Sequence, residues 1–255
     1  MKTMFKVKTK EVRFFGEIMK LVAEISPEEF YMWSKGKNLK MGCTDSSHVV
    51  LAEFSLSSKN MSMRGEIKDK IIVADTKYLA NLLKLASKGD VLKINYREDT
   101  LNCIVSDEDE RNIYVSAEFS VELNDELPQF PKNLDEFFKT SISSLKSLNK
   151  VVRYQMQFAD QIKVSIGDSV LKLEGREDKK VESTIALSSQ SDTITGRKIE
   201  SKINSEFMGV IEKTLQIASQ LDIYIKESAP IIFQFELKDK IGMLKYLISP
   251  IIEGI

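Results

Sequence analysis

The densest run of potentially reactive side chains is Asp107-Glu108-Asp109-Glu110. Paired carboxylates can hold two divalent cations for phosphodiester chemistry, with Asp107 and Asp109 as ligands. Strand-like runs flank this stretch on both sides, which reads better as the solvated tip of a hairpin. His48 is the only histidine, so no histidine cluster for a metal and no relay through a second histidine is available. Cys43 and Cys103 lack CxxC spacing and read as free buried thiols of an intracellular protein. Neither GxxxxGK[ST] nor GxGxxG occurs. The expectation is a protein with no catalytic residue, no metal and no cofactor, hence not an enzyme. A metal-dependent nucleic-acid enzyme built on Asp107 and Asp109 is the rival from a different class.

The 255 residues suffice for two domains, and 42% hydrophobic with 29% charged residues describe an ordinary globular chain. Thirty-seven basic residues face 38 acidic ones, a net charge of −1. Static binders of nucleic acid usually carry a strong basic excess, because phosphate contacts supply most of their affinity. Near balance argues against that class but permits charges segregated onto different surfaces. The first residues, MKTMFKVKTKEVRFF, have no signal-like apolar run, and no segment approaches the roughly 18 apolar residues of a membrane span. An intracellular protein without membrane partners is expected.

Four segments carry a helical apolar period. Val12, Phe15, Ile18, Met19 and Val22 form a stripe in 10–24, and Leu79, Leu82, Leu83 and Ala86 do so in 75–87. Leu145, Leu148, Val151 and Val152 mark 143–153. Phe207, Val210, Ile211, Thr214, Leu215 and Ala218 mark 205–219. Asp75 and Ser205 stand where N-caps belong. Alternating runs between them predict strands at 49–56, 91–96, 101–105, 113–119, 162–166, 170–173, 223–226, 231–237 and 243–248. An α+β fold follows, with helices packed on one face of the sheets. Leu83-Lys84-Leu85-Ala86-Ser87, then Asp90-Val91-Leu92, recurs 132 residues later as Leu215-Gln216-Ile217-Ala218-Ser219, then Asp222-Ile223-Tyr224. The same order of helices in both halves points to duplication. Pro128 and Pro131 mark a connecting segment, which sets domains at 1–118 and 134–255 around a connector at 119–133.

Burying each apolar stripe turns the opposite face outward. Those faces carry Lys10, Arg13 and Lys20, interrupted by Glu17; Lys77, Asn81, Lys84 and Lys88; Lys146, Lys150 and Arg153; and Lys213, Gln216 and Gln220. Lysines on one helix are commonly just a solvated face; the same bias on several repeated helices is the signal. Spaced cations without an aromatic platform suit loosely held duplex phosphates. Single-strand binders add stacking rings, and base readers aim Asn, Gln or Arg into a groove.

Three stretches resemble proliferating cell nuclear antigen (PCNA), the sliding clamp of eukaryotes and archaea. They are Asp45-Ser46-Ser47-His48-Val49 followed by Leu51, the connector ending Leu127-Pro128-Gln129-Phe130-Pro131, and Leu244-Lys245-Tyr246-Leu247-Ile248-Ser249-Pro250. The resemblance implies a duplicated two-domain DNA clamp fold, with helices lining the inside and antiparallel sheets outside, as one subunit of a trimeric ring. It implies a DNA polymerase processivity factor on double-stranded DNA, with polymerase, clamp loader, flap endonuclease and ligase type proteins bound through short peptide motifs. A clamp relative in DNA-damage signalling or a viral processivity factor is the nearest alternative.

By the same resemblance, a partner-peptide pocket comprises His48, Val49, Leu51, Leu127, Phe130, Pro230, Leu247, Ser249 and Pro250. Subunits join by pairing edge strands, with Ile113, Val115 and Ala117 of one matched to Val181, Ser183 and Ile185 of the next. The family implies a nuclear location in a eukaryote, and a cytoplasmic one for an archaeal or viral chain. Leu247 replaces a frequent second tyrosine, Gly16 and Glu17 replace a frequent lysine pair, and the net charge of −1 is unusual. These departures suit a divergent paralogue or one member of a homo- or heterotrimer.

Overall fold

The computed structural model describes residues 5–36, 38–57, 59, 61–67, 69–123, 129–131, 133–142, 144–167, 170–176, 180–186 and 198–251, with backbone only for 176 and 180–186. The chain divides into two compact units, Met1–Ser47 with Ala52–Pro128, and His48–Leu51 with Gln129–Ile255.

The first unit runs β1 (Phe5–Thr9), α1 (Val12–Ile25), β2 (Glu29–Lys35), β3 (Asn38–Thr44), β4 (Val50–Leu56), β5 (Met61–Gly65) and β6 (Ile71–Ala74). It continues with α2 (Thr76–Leu83), β7 (Val91–Arg97), β8 (Thr100–Ser106) and β9 (Ile113–Leu123). Its strands order β4-β3-β2-β6-β9-β8-β7-β1-β5. The second unit runs β10 (Phe138–Ile142), α3 (Leu145–Gln155), β11 (Gln161–Gly167), β12 (Val170–Arg176), β13 (Lys180–Ala186), β14 (Ile199–Asn204), α4 (Met208–Ile217), β15 (Ala218–Ile225), β16 (Ile231–Leu237) and β17 (Gly242–Ile248). Its strands form β10-β15-β16-β17 and β13-β12-β11-β14. The orders β1-β7-β8-β9 and β6-β2-β3-β4 of the first unit recur there as β10-β15-β16-β17 and β14-β11-β12-β13. The duplication is therefore one of topology as well as of sequence.

The helical stripes are buried as the 3.6-residue period requires. On α1, Val12, Phe15, Ile18, Met19 and Val22 face the core, and each such side chain contributes about 1.5–3 kcal/mol. Gly16 is buried too: a Cβ there would meet the Cβ and carbonyl of Leu83 at 3.4 and 3.5 Å. These are ordinary contact distances, so α1 packs on α2 at this position with room for no more than a methyl group. Of the Gly16-Glu17 pair, only Glu17 lies on the exposed face.

Several boundaries differ from expectation. α2 stops at Leu83, because the Asp90 carboxylate accepts the Ser87 amide at 2.6 Å and Gly89 turns with φ +99°. Lys84 and Lys88 thus lie beyond the helix proper. Asp75 precedes α2, but its side chain makes no cap; the residue sits at φ 60° and its amide donates to the Glu28 carbonyl. Ser205 does not cap either: Asn204 accepts the Glu206 amide at 3.1 Å and starts a 3-10 turn ahead of α4. α4 ends at Ile217, where the β-rich sequence of β15 takes over, so Gln220 is a strand residue donating to Asp222. Residues 119–123, expected in the connector, instead extend β9: Val121 and Leu123 pair with Val73 and Ile71 of β6. Strands β1, β2, β3, β5, β6, β10, β13 and β14 escaped the alternation pattern.

Candidate functional site

The second unit brings together part of the expected peptide pocket. Its segment His48–Leu51 joins the C-terminal stretch, where the Ser249 amide donates to the Val49 carbonyl at 2.9 Å. His48 is exposed in the left-handed region at φ 55°, a conformation that His adopts more readily than most residues. Val49 is half-buried and Leu51 nearly buried. On β17, Leu247 pairs with Ile232 and Ile248 with Ile231, which sets Pro230 level with Ser249. Leu247, Ser249, Pro250, Pro230 and Phe130 are all half-buried. The Ile251 amide donates to the Lys202 carbonyl at 2.8 Å and fixes the chain beyond Pro250. Leu127 lies outside the described residues.

The helix faces divide into paired and open cations. In the first unit Lys10 meets Glu108 at 2.8 Å, and Lys20 meets Glu17 at 2.6 Å one turn away. In the second unit Arg153 of α3 meets Glu212 of α4 at 2.5 Å. Glu212 also receives Gln216 and Asn149, whose amide further donates to the Glu212 carbonyl at 2.8 Å. Partial burial raises the Glu212 carboxyl, but the Arg153 bond and its neighbours outweigh this and hold it below the usual range. Lys84 donates to Asn81 at 2.7 Å. Arg13, Lys77, Lys146, Lys150 and Lys213 are exposed, and the first four enter no ion pair among the described residues.

The cationic face of α3 has one ring pair beside it. Tyr154 is 51% exposed beside Arg153, its ring 4.9 Å from that of Phe158. A single tilted pair at a helix end falls short of the succession of rings that a single strand needs.

The acidic run is engaged by its own surroundings. The Asp107 carboxylate accepts the amides of Arg111 and Asn112 and the Asn112 side chain at 2.8, 3.2 and 2.7 Å. Glu110 bridges Lys8 and Lys93, and Glu108 holds Lys10. Both thiols are fully buried, and burial pushes Cys103 up to about 12 and Cys43 higher still, so neither is a nucleophile at neutral pH. No described helix is long and apolar enough to cross a membrane.

The expected subunit edges are strand positions. Ile113–Ser120 of β9 pairs with β8 on one side, while β6 takes up the other side only from Val121. Ile113 is 62% exposed, Tyr114 is exposed, and Val115 and Ala117 are half-buried. β13 ends its sheet, with Val181, Ser183 and Ile185 opposite Gly175, Leu173 and Leu171.

Glu212, Glu108 and Glu110 are the residues that sequence reasoning missed. Arg153, Lys10 and Lys8, the cations they meet across the fold, lie 59, 98 and 102 positions away, and no local spacing signals such pairs.

No protein-family model matches the chain. It is 23% identical over 238 residues to proliferating cell nuclear antigen 1 of Plasmodium falciparum, in both the K1 and 3D7 isolates, covering 83% of this chain and 84% of each relative. The crystal structure of PCNA from Entamoeba histolytica superposes with a TM-score of 0.77, at 15% identity, over 98% of this chain and all of that one. The fold is thus that of the sliding clamp, and the likeness to PCNA read from three short stretches extends across most of the sequence.

Proposed function

We propose that this PCNA-like chain is a subunit of a ring-shaped sliding clamp, a processivity factor that encircles duplex DNA and tethers polymerase and other replication and repair enzymes through short peptide motifs. The observation that carries the reading is the recurrence of open, exposed cations on helices of both halves of a duplicated clamp fold: Arg13 on α1 and Lys77 on α2 in one unit, Lys146 and Lys150 on α3 in the other. Sequence-blind cations at this density bind phosphate weakly. A closed ring needs no more, because topology rather than affinity prevents loss from the duplex. Bound enzymes then work at the high effective concentration that tethering provides.

Three further assignments belong to the same reading. The exposed edge at Ile113, Val115 and Ala117 pairs with Val181, Ser183 and Ile185 of a neighbour, which closes a trimer and satisfies two edges that would otherwise invite aggregation. The apolar group of half-buried Val49, Leu247 and Pro250 beside buried Leu51, with His48 at its rim, accepts the aliphatic and aromatic anchors of a partner peptide. The chain acts as a scaffold with no catalysis of its own, in the nucleus if its source is a eukaryote.

Retention on DNA of different topology tests the central claim. Purified protein assembled on nicked circular duplex should stay bound through a high-salt wash and be released when the circle is cut once. Light scattering should give a mass near three times 29 kDa. Equal loss of the assembled protein from circular and linear DNA would reject the ring, whereas a stable monomer would reject only a ring built from this chain alone.

A further inference from the structure

We infer that the hairpin joining β8 and β9 is an electrostatic shield over Lys10, moored to the sheet by Glu110 and presenting Glu108 to the cation that duplex phosphate would otherwise meet. The inference rests on the proposed reading of the helix faces and deepens it. It makes the first unit's grip adjustable through a residue that never touches DNA.

The mooring is specific. Lys8 of β1 and Lys93 of β7 stand directly opposite each other in register, a like-charge pair that destabilises an antiparallel ladder. One Glu110 oxygen receives Lys8 and the other receives Lys93, which resolves the repulsion. The tip is folded to deliver that carboxylate. Asp107 closes it through its three accepted hydrogen bonds, the Glu110 amide returns to the Asp107 carbonyl at 3.0 Å, and Glu110 itself takes φ 62°. The two lysines hold the Glu110 carboxyl down to about 2.

Glu108 has no such structural duty. Its only described partner is Lys10, and both side chains are more than 60% exposed. A Cβ at Gly89 would come within 3.9 Å of Glu108 Oε2, so bare backbone lies beside the carboxylate. Exposed pairs of this kind contribute almost nothing to folding, because water screens them. They suffice to neutralise a cation that stands two residues ahead of α1, whose own first turn has neither an acidic residue nor a side-chain cap. A phosphate approaching Lys10 must displace Glu108 or share the cation with it.

The test compares salt dependence of binding to a short duplex, using the full chain. Each phosphate contact contributes about −0.9 to the slope of log K against log salt. Glu108→Gln should steepen that slope by about 0.9, an added three- to fourfold loss between 50 and 200 mM salt by the same relation. Lys10→Gln/Glu108→Gln should lack the increase. Lys146→Gln separates two kinds of failure, since Lys146 is open already. If Lys146→Gln flattens the slope while Glu108→Gln leaves it unchanged, the shield is wrong and the helix-face reading stands. If neither variant moves the slope, the helix-face reading fails and the shield falls with it.

Discussion

The amide of Ser249 donates to the carbonyl of Val49 at 2.9 Å, and this bond joins two stretches 200 residues apart in sequence. It holds the segment after His48 against the end of β17, so Leu247 and Pro250 share a surface with Val49 and Leu51. Leu247→Asp combined with Pro250→Ala puts a charge into that surface and strips its edge. Binding of a synthetic peptide with aliphatic and aromatic anchors should fall at least about thirtyfold, as loss of a hot spot of about 2 kcal/mol requires. Calorimetry on a variant with unchanged circular dichroism makes the measurement. Undiminished affinity would remove the pocket assignment.

The helix faces predict unequal effects for cations that look alike in sequence. Charge reversal at Lys84, Lys146, Lys150 and Lys213 together should lower polymerase processivity and leave the mass of the assembly unchanged. Neutralising Lys20 and Arg153 should cost less, because Glu17 and Glu212 already hold them. Primer-extension lengths on a long template would show the ranking. Equal losses from both sets would mean that the ion pairs do not limit contact with DNA.

That ranking marks how far the sequence can be read. The apolar stripes of α1 and α3 were legible because burial enforces a 3.6-residue period. Glu17 and Lys20 were legible as neighbours on one face because three residues is nearly one helical turn. Arg153 and Glu212 were not, since nothing within either helix encodes the crossing that joins them. Strands such as β2 (EFYMWSK) were missed because buried residues on both faces erase alternation. The ends of α2 and α4 went wrong because Asp90, Asn204 and Gly89 act through hydrogen bonds and a turn, which propensity does not register. Within the site, family-like short stretches supplied the pocket residues, whereas the carboxylates that hold Lys10 and Arg153 come from tertiary pairing.

The open stretch of β9 predicts a substitution that spares the subunit and breaks its assembly. Ile113 is 62% exposed, so Ile113→Asp should change the melting temperature little. Next to a paired neighbour strand the same carboxylate would be desolvated without a partner, at a cost of several kcal/mol. Light scattering should show the mass falling from about three subunits to one at micromolar concentration. Retention of the full mass would place the subunit contact elsewhere.

Glu110 predicts a pH response of defined sign. Its folded-state value of about 2, set by hydrogen bonds from Lys8 and Lys93, lies below the roughly 4.3 of a free glutamate. The stabilisation is therefore fully present above about pH 4.3 and is lost as pH falls through about 2. Carboxyl-carbon NMR should place the Glu110 midpoint near 2, and Lys8→Met/Lys93→Met should return it to the ordinary range. A midpoint near 4.3 in the parent protein would show that the hairpin is not moored.

Gln155 predicts the largest effect on stability. It is fully buried on α3, donating from Nε2 to the Leu173 carbonyl at 3.0 Å and accepting the Gly175 amide at 2.9 Å. The helix is thereby clamped to the backbone of β12, the strand that carries β13. Gly175 is required for the clamp, because a Cβ there would lie 2.4 Å from Gln155 Oε1 and 2.6 Å from the Ala159 Cβ. Gln155→Ala leaves a buried donor and acceptor unmet, at about 1–3 kcal/mol. Gly175→Ala forces the helix off the strand, with an overpacking cost of similar size. If the clamp is the shared cause, the double variant should lose less than the sum of the two singles, since Gln155→Ala removes the oxygen against which the added methyl at position 175 clashes. Denaturant unfolding of all four proteins gives the cycle, and strict additivity would rule the clamp out.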